Sequence, residues 1–155
     1  MASAGREKGA AMVLMWRDEM NVGQADIDGD HQRLVAIIND FENMTERLSG
    51  ERALHETLIE LHDYAAWHFS REEMIQQACK YPYCETHRQE HQQLLFQIKD
   101  MARRHFVDRT APVTRDTLQQ AAGFLRHWLV DHIIKSDLRL REHLGKLPPS
   151  FKLPD

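Results

Sequence analysis

The stretch Trp67–Met74 reads WHFSREEM and holds His68 and Glu72 four residues apart. On a helix that spacing puts both on one face, and Leu61, Ala65 and Ile75 mark the same face as apolar. An imidazole and a carboxylate turned into an apolar interior are costly unless they find partners there. The pattern recurs along the chain. His87 and His91 are four apart on a stripe continued by Leu94, His31 shares its face with Leu34, and His132 extends the line of Leu125 and Trp128. Four segments thus send imidazole toward one interior, and a metal ion is the partner that would satisfy them together.

A single histidine on an apolar stripe is ordinarily a satisfied core residue, and His55, His62, His105, His127 and His143 read as surface background. For the inward set, that ordinary explanation would have to hold separately on every segment. Left unpartnered, such groups cost up to several kcal/mol each, against a total domain stability of about 5–15 kcal/mol. Mixed imidazole and carboxylate donors suit iron, manganese or zinc rather than copper(I) or an iron–sulfur cluster. Five imidazoles and two carboxylates exceed one tetrahedral zinc site and suffice for two octahedral ions bridged by carboxylates.

Spacing leaves the second carboxylate open. His127 and Asp131 form an i,i+4 pair, but beside the stripe; His132 lies on it, with Asp137 five residues further on. In a regular helix five steps overshoot a full turn by about 140°. Asp137 reaches the same centre only if the helix loosens, for instance through a π-type turn.

The elements that must position these groups follow from the apolar period. Helices are predicted over about 30–48, 51–78, 84–106 and 115–144. Ser49-Gly50 ends the first, Pro82 breaks the chain after the second, and the loop VDRTAPVT precedes the fourth. No segment alternates as a strand would. The first 28 or so residues read as an irregular arm and GKLPPSFKLPD as an extended tail. The expectation is an all-α, antiparallel up-down four-helix bundle with an irregular N-terminal arm. Its parts would be a flexible segment at 1–15, the metal-binding domain at 16–144 and the tail at 145–155.

Composition narrows the function classes. With 20 basic and 24 acidic residues, a net charge of −4 and no Lys/Arg run, nucleic-acid binding is not expected. The apolar run AAMVLMW is too short for a signal core and nothing approaches a membrane span, so stable membrane insertion is not expected either. Cys79 and Cys84 do not have a usual zinc spacing and are read as reduced thiols, which points to the cytoplasm.

Four elements together carry a resemblance: D-I-D-G-D-H-Q-R-L at 26–34, H-F-S-R-E-E-M at 68–74, Y-P-Y-C-E-T-H-R-Q-E-H at 81–91 and W-L-V-D-H-I-I-K-S-D at 128–137. In this order and spacing they resemble the hemerythrins, and among them the single-domain bacteriohemerythrins, over about residues 16–144, with Trp16 in the arm included. The resemblance implies two non-heme iron ions. His87, His91 and His132 would hold one; His31 and His68 would hold the other. Glu72 and Asp137 would bridge them together with an oxo or hydroxo group, so the family pattern chooses Asp137 over Asp131. The iron with two imidazoles keeps an open position, where dioxygen is the implied ligand. Leu34, Phe69, Trp128, Leu129 and Ile133 match the family's apolar oxygen pocket. Asp30 departs from the Gln or Glu that often precedes the first histidine, and its shorter side chain bears on the hydrogen bond that orients an imidazole. The implied function is reversible oxygen binding, for storage or for delivery to an oxygen-consuming enzyme, rather than catalysis. An oxygen or redox sensor is the alternative, as is a di-iron enzyme that consumes peroxide. Five imidazoles weigh against the enzyme, and the lack of a readable output domain weighs against the sensor.

Overall fold

The computed structural model describes residues 13–154; the expected flexible segment at 1–15 lies outside these residues except for Val13–Met15. Helix α1 runs Ala25–Arg47, α2 Gly50–Ala78, α3 Cys84–Ala102 and α4 Arg115–Lys135. They form the expected all-α, antiparallel four-helix bundle, with α2 packed on α1 and α3, and α4 on α1. Among the described residues there is no strand. Nor is any helix long and apolar enough to cross a membrane.

Three of the four helices, α1, α2 and α4, start where a side chain captures a free backbone N–H. Gln24 accepts from Ile27, Ser49 from Arg52 and Thr114 from Thr117. The Gln24 cap, followed by Asp26 and Asp28 in the first turn, starts α1 about five residues earlier than the apolar period suggests. The apolar stripes meet in one core, with Leu34, Phe41, Leu54, Leu61, Ile98 and Leu125 almost wholly buried.

Two helix ends differ from expectation. The α-helical part of the third segment stops at Ala102 and a single π-type turn follows, Arg103–Val107. The fourth stops at Lys135, and the chain continues as a 3₁₀ helix, Asp137–Lys146. The anticipated loosening before Asp137 is therefore a switch from α to the tighter 3₁₀ coil, while the π turn sits at the end of α3 instead. The switch falls on Ser136, whose φ of −115° departs from helical geometry.

The termini close the bundle at the end where the imidazoles gather. Leu14 and Asn39 exchange two hydrogen bonds of 2.8 and 2.9 Å, which ties the arm to α1. Leu14, Trp16 and Met20 pack on the main core. A second cluster joins Val22, Ile27, Ile75, Tyr81 and Leu140, and the tail lays Leu147, Phe151 and Leu153 against it.

Candidate metal centre

All seven candidate ligands, His31, His68, Glu72, His87, His91, His132 and Asp137, are buried. Their donor atoms form two groups: Glu72, His87, His91, His132 and Asp137 in one, His31, His68 and Glu72 in the other, all within 4.8 Å of each other in each group. Glu72 belongs to both, and its two oxygens divide the work. Oε2 lies 3.1 Å from His68 Nε2 and 3.6 Å from His31 Nε2. Oε1 lies 3.2 Å from His87 Nε2 and 3.6 Å from His91 Nε2. Asp137 divides in the same way, with Oδ2 3.1 Å from His31 Nε2 and Oδ1 2.8 and 2.9 Å from Nε2 of His87 and His132.

These atoms are close, yet most do not hydrogen-bond to each other. Nε2 of His31, His68 and His91, Oε2 of Glu72 and both oxygens of Asp137 are buried without a hydrogen-bond partner. The Nε2 atoms of His87 and His132 face each other at 3.2 Å, although two neutral imidazoles gain nothing from opposing lone pairs. The atoms converge on shared points in space rather than on one another. That is the arrangement expected of ligands, and the residues fit a pair of cations bridged by two carboxylates.

Polar groups behind the imidazoles set their orientation and tautomer. His68 donates from Nδ1 to Asp30 at 3.0 Å, and His91 donates from Nδ1 to Glu73 at 3.1 Å. The Gln76 amide nitrogen lies 2.6 Å from His87 Nδ1 and donates to Glu72 Oε1 at 3.3 Å, so it braces both groups. At His68 and His91 Nε2 is left free to coordinate. Asp30 is itself held by Arg71 Nε at 3.0 Å and Tyr64 Oη at 3.4 Å, so the short side chain noted in the sequence still reaches an imidazole. Ser136 donates to Glu90 at 2.6 Å, which pins the helix switch that turns Asp137 inward.

Spacing alone did not reveal most of this outer layer. Gln76 carried a readable signal, since it is four residues past Glu72 on the inward stripe, and it is fully buried. Glu73 and Arg71 act across helices and leave no periodic trace. Asp131, the rejected carboxylate, pairs with Lys135 at 2.7 Å on the outside of α4.

Electrostatics agree with a site built for cations. Burial alone would lower the His31 pKa, but Asp137 and Glu72 raise it to about 10. Burial is likewise outweighed at His91, raised to about 9 by Glu72 and Glu73. Glu72 is held well below the usual carboxylate range: burial and the Asp137 charge push it up, and the imidazoles of His31, His68 and His91 facing its oxygens overcome them. Asp137 is lowered in the same way, with burial outweighed by His132, His31 and His87.

A tight pocket too narrow to hold a water adjoins His31, His68 and His132, walled by Leu34, Phe69, Leu94, Trp128 and Leu129. Four of the five pocket residues expected from sequence are among its walls. Ile133 is fully buried but is not one of them, and Leu94 lines it instead, its carbonyl accepting from Trp128 Nε1 at 3.2 Å. The Phe69 ring stacks on His91 with 3.9 Å between centroids.

A family model described as the hemerythrin HHE cation binding domain matches residues 22–143. The chain belongs to the hemerythrin family. A bacteriohemerythrin of Methylococcus capsulatus is 32% identical over 117 residues, 76% of this chain and 83% of the relative. One of Stenotrophomonas maltophilia is 26% identical over 125 residues, 81% of this chain and 77% of the relative. A crystal structure of wild-type hemerythrin aligns with a TM-score of 0.71 at 26% identity, covering 87% of this chain and 99% of that one. Membership and the buried His/Glu/Asp cluster together make this an iron-binding hemerythrin domain.

Proposed function

We propose that this hemerythrin domain binds dioxygen reversibly at a non-heme di-iron centre, for oxygen storage or delivery. The observation that carries the reading is the asymmetry of the donor set: three imidazoles converge on one side of Glu72 and Asp137, two on the other. His87, His91 and His132 would hold one iron and His31 and His68 the second, with both carboxylates shared and an oxo or hydroxo bridge completing the pair. A ferrous pair would supply the two electrons that dioxygen binding requires, at the position with fewer protein ligands.

The chain's own residues do the rest. Asp30 and Glu73 hold His68 and His91 in the coordinating tautomer, and Gln76 braces the His87 ring. The pocket beside His31 and His68 is walled by aliphatic and aromatic side chains, which exclude water and anions from the open position. Among its walls Leu34, Phe69, Trp128 and Leu129 take the role of oxygen-pocket residues, with Ile133 as their packing support. Apart from the candidate ligands His31, His68, His132 and Asp137, its walls carry no ionisable side chain, which favours carriage over catalysis. Free thiols at Cys79 and Cys84 support a cytoplasmic site of action.

The test is iron analysis followed by anaerobic reduction and oxygen titration watched by absorbance. The expected result is two irons per chain and a visible band that appears with oxygen and disappears on its removal. One iron per chain, or irreversible bleaching on the first exposure, refutes the proposal.

A further inference from the structure

Between α2 and α3 the chain turns through Tyr81-Pro82-Tyr83, and the turn places two phenol rings in series. Tyr83 is 58% exposed, whereas Tyr81 is 6% exposed. Their rings meet edge to face with 5.7 Å between centroids, a normal aromatic contact distance. The Tyr81 ring in turn lies 6.3 Å from the ring of His87, again edge to face. A second neighbour is His143, whose ring lies 5.0 Å from Tyr81. His143 reads as surface background in the sequence, yet its Nδ1 is buried with no hydrogen-bond partner. The oxygen-binding reading uses neither tyrosine, nor His143.

We propose that Tyr83, Tyr81 and His87 form a one-electron relay between the iron pair and the protein surface, and that Tyr83 is the point where small phenolic hydrogen-atom donors are oxidised at the expense of hydrogen peroxide. The proposal rests on the di-iron reading of the site. Phenols are among the few side chains that give up an electron to a strong oxidant, and rings in near contact let the electron move in short steps. Reduction of one H2O2 to two waters takes two electrons and two protons. Each passage of the relay supplies one electron. Tyr81 passes an electron inward and is refilled from Tyr83, whose phenolic proton leaves to solvent; the two protons that peroxide takes up come from solvent. Tyr83, facing solvent, is restored by a hydrogen atom from the phenolic donor. Two passages balance as H2O2 + 2 ArOH → 2 H2O + 2 ArO•. Without a donor, the radical stays on Tyr83, where two molecules can couple into dityrosine.

An aromatic pair on the opposite side serves as an internal control. Trp67, 46% exposed, contacts Tyr64 at 5.3 Å between centroids. Tyr64 donates to Asp30, the acceptor of His68 Nδ1, so that pair is joined to the site through a carboxylate, which is a poor electron conduit.

The experiment adds stoichiometric hydrogen peroxide to protein whose iron content has first been measured, with iron-free protein alongside. Electron paramagnetic resonance detects tyrosyl radical, and peptide mapping locates oxidised residues and dityrosine. The expected result is a tyrosyl signal and dityrosine at Tyr83 in the iron-loaded protein alone. Tyr83→Phe should abolish the dityrosine. Tyr81→Phe, which keeps the ring and the packing, should abolish Tyr83 oxidation while iron content and helicity stay unchanged. Trp67→Phe should change nothing. Fewer than two irons per chain refutes the site reading before any peroxide is added. Two irons with Tyr83 unmodified, or Tyr83 oxidised equally in the Tyr81→Phe or iron-free protein, overturns the relay alone.

Discussion

Asp30 is the most informative residue to perturb, because it touches a ligand without being one. Its carboxylate is 6% exposed and accepts from His68 Nδ1 at 3.0 Å and from Arg71 Nε at 3.0 Å. Burial alone would raise its pKa, but His68 and Arg71 keep it lowered, so a charged acceptor faces the back of the imidazole. Asp30→Ala removes the group that fixes the His68 tautomer and leaves Arg71 half-buried beside a void. Loss of such an outer partner typically weakens metal binding about 10–100-fold, or about 1.4–2.8 kcal/mol. The loss should be confined to the iron held by His31 and His68, because the other iron's imidazoles rely on Glu73 and Gln76. Competitive chelation of the iron-loaded protein measures this directly: the variant should surrender one iron early and hold the second as the parent does. Asp30→Asn keeps an oxygen for His68 but not the charge, and should fall between the two. If Asp30→Ala releases both irons together, or neither more easily, Asp30 does not position His68 in the way argued.

Two further expectations follow from the same geometry. Asp137→Ala should lower iron content toward one per chain or less, since both of its oxygens face imidazole nitrogens at 2.8–3.1 Å; Asp131→Ala, which removes only an exposed pair with Lys135, should leave two irons, and equal iron loss in the two variants would contradict the helix switch at Ser136. In iron-free protein, His31 and His91 have folded-state pKa values raised to about 10 and 9. Their contribution to stability is therefore full below the unfolded value of about 6.5 and is lost as pH rises through 9–10. The lowered Glu72 and Asp137 act oppositely, contributing above the ordinary carboxylate range and losing that contribution in acid. The melting temperature of iron-free protein should thus decline between pH 7 and 10, and iron loading at pH 7 should release protons into a weakly buffered solution. A flat melting temperature over that range, with no proton release, would refute the assignment.

The bundle and the inward histidines were legible because both depend on local spacing. Residues three and four apart share a helical face whatever surrounds them, so His68 with Glu72 and His87 with His91 could be paired by counting. The second carboxylate could not. Asp137 lies five residues beyond His132, and counting along a regular helix left the choice between it and Asp131 open. Only the family pattern selected it, and the structure shows the physical means: α4 ends at Lys135, Ser136 takes a non-helical φ of −115°, and the chain resumes as a 3₁₀ helix. The loosening was expected as a π turn and came as a tightening, because a change of coil in either direction alters the angle between 132 and 137. Glu73 and Arg71 were illegible for a different reason, since their partners lie on other helices.

The helix switch also explains why the centre can hold ligands that no single helix could present together. An unbroken α4 would keep His132 inside and carry Asp137 round to the solvent, leaving Glu72 as the only shared carboxylate. The break costs α-helical hydrogen bonds near Ser136, and the structure offsets this with the 2.6 Å bond from Ser136 to Glu90 on α3. Glu90 is in turn 3.8 Å from His132 Nδ1, so one half-buried residue stands behind both the switch and the imidazole that precedes it. The second carboxylate is therefore set by a contact between α3 and α4, and the two-iron reading depends on how those helices meet as much as on the ligands themselves.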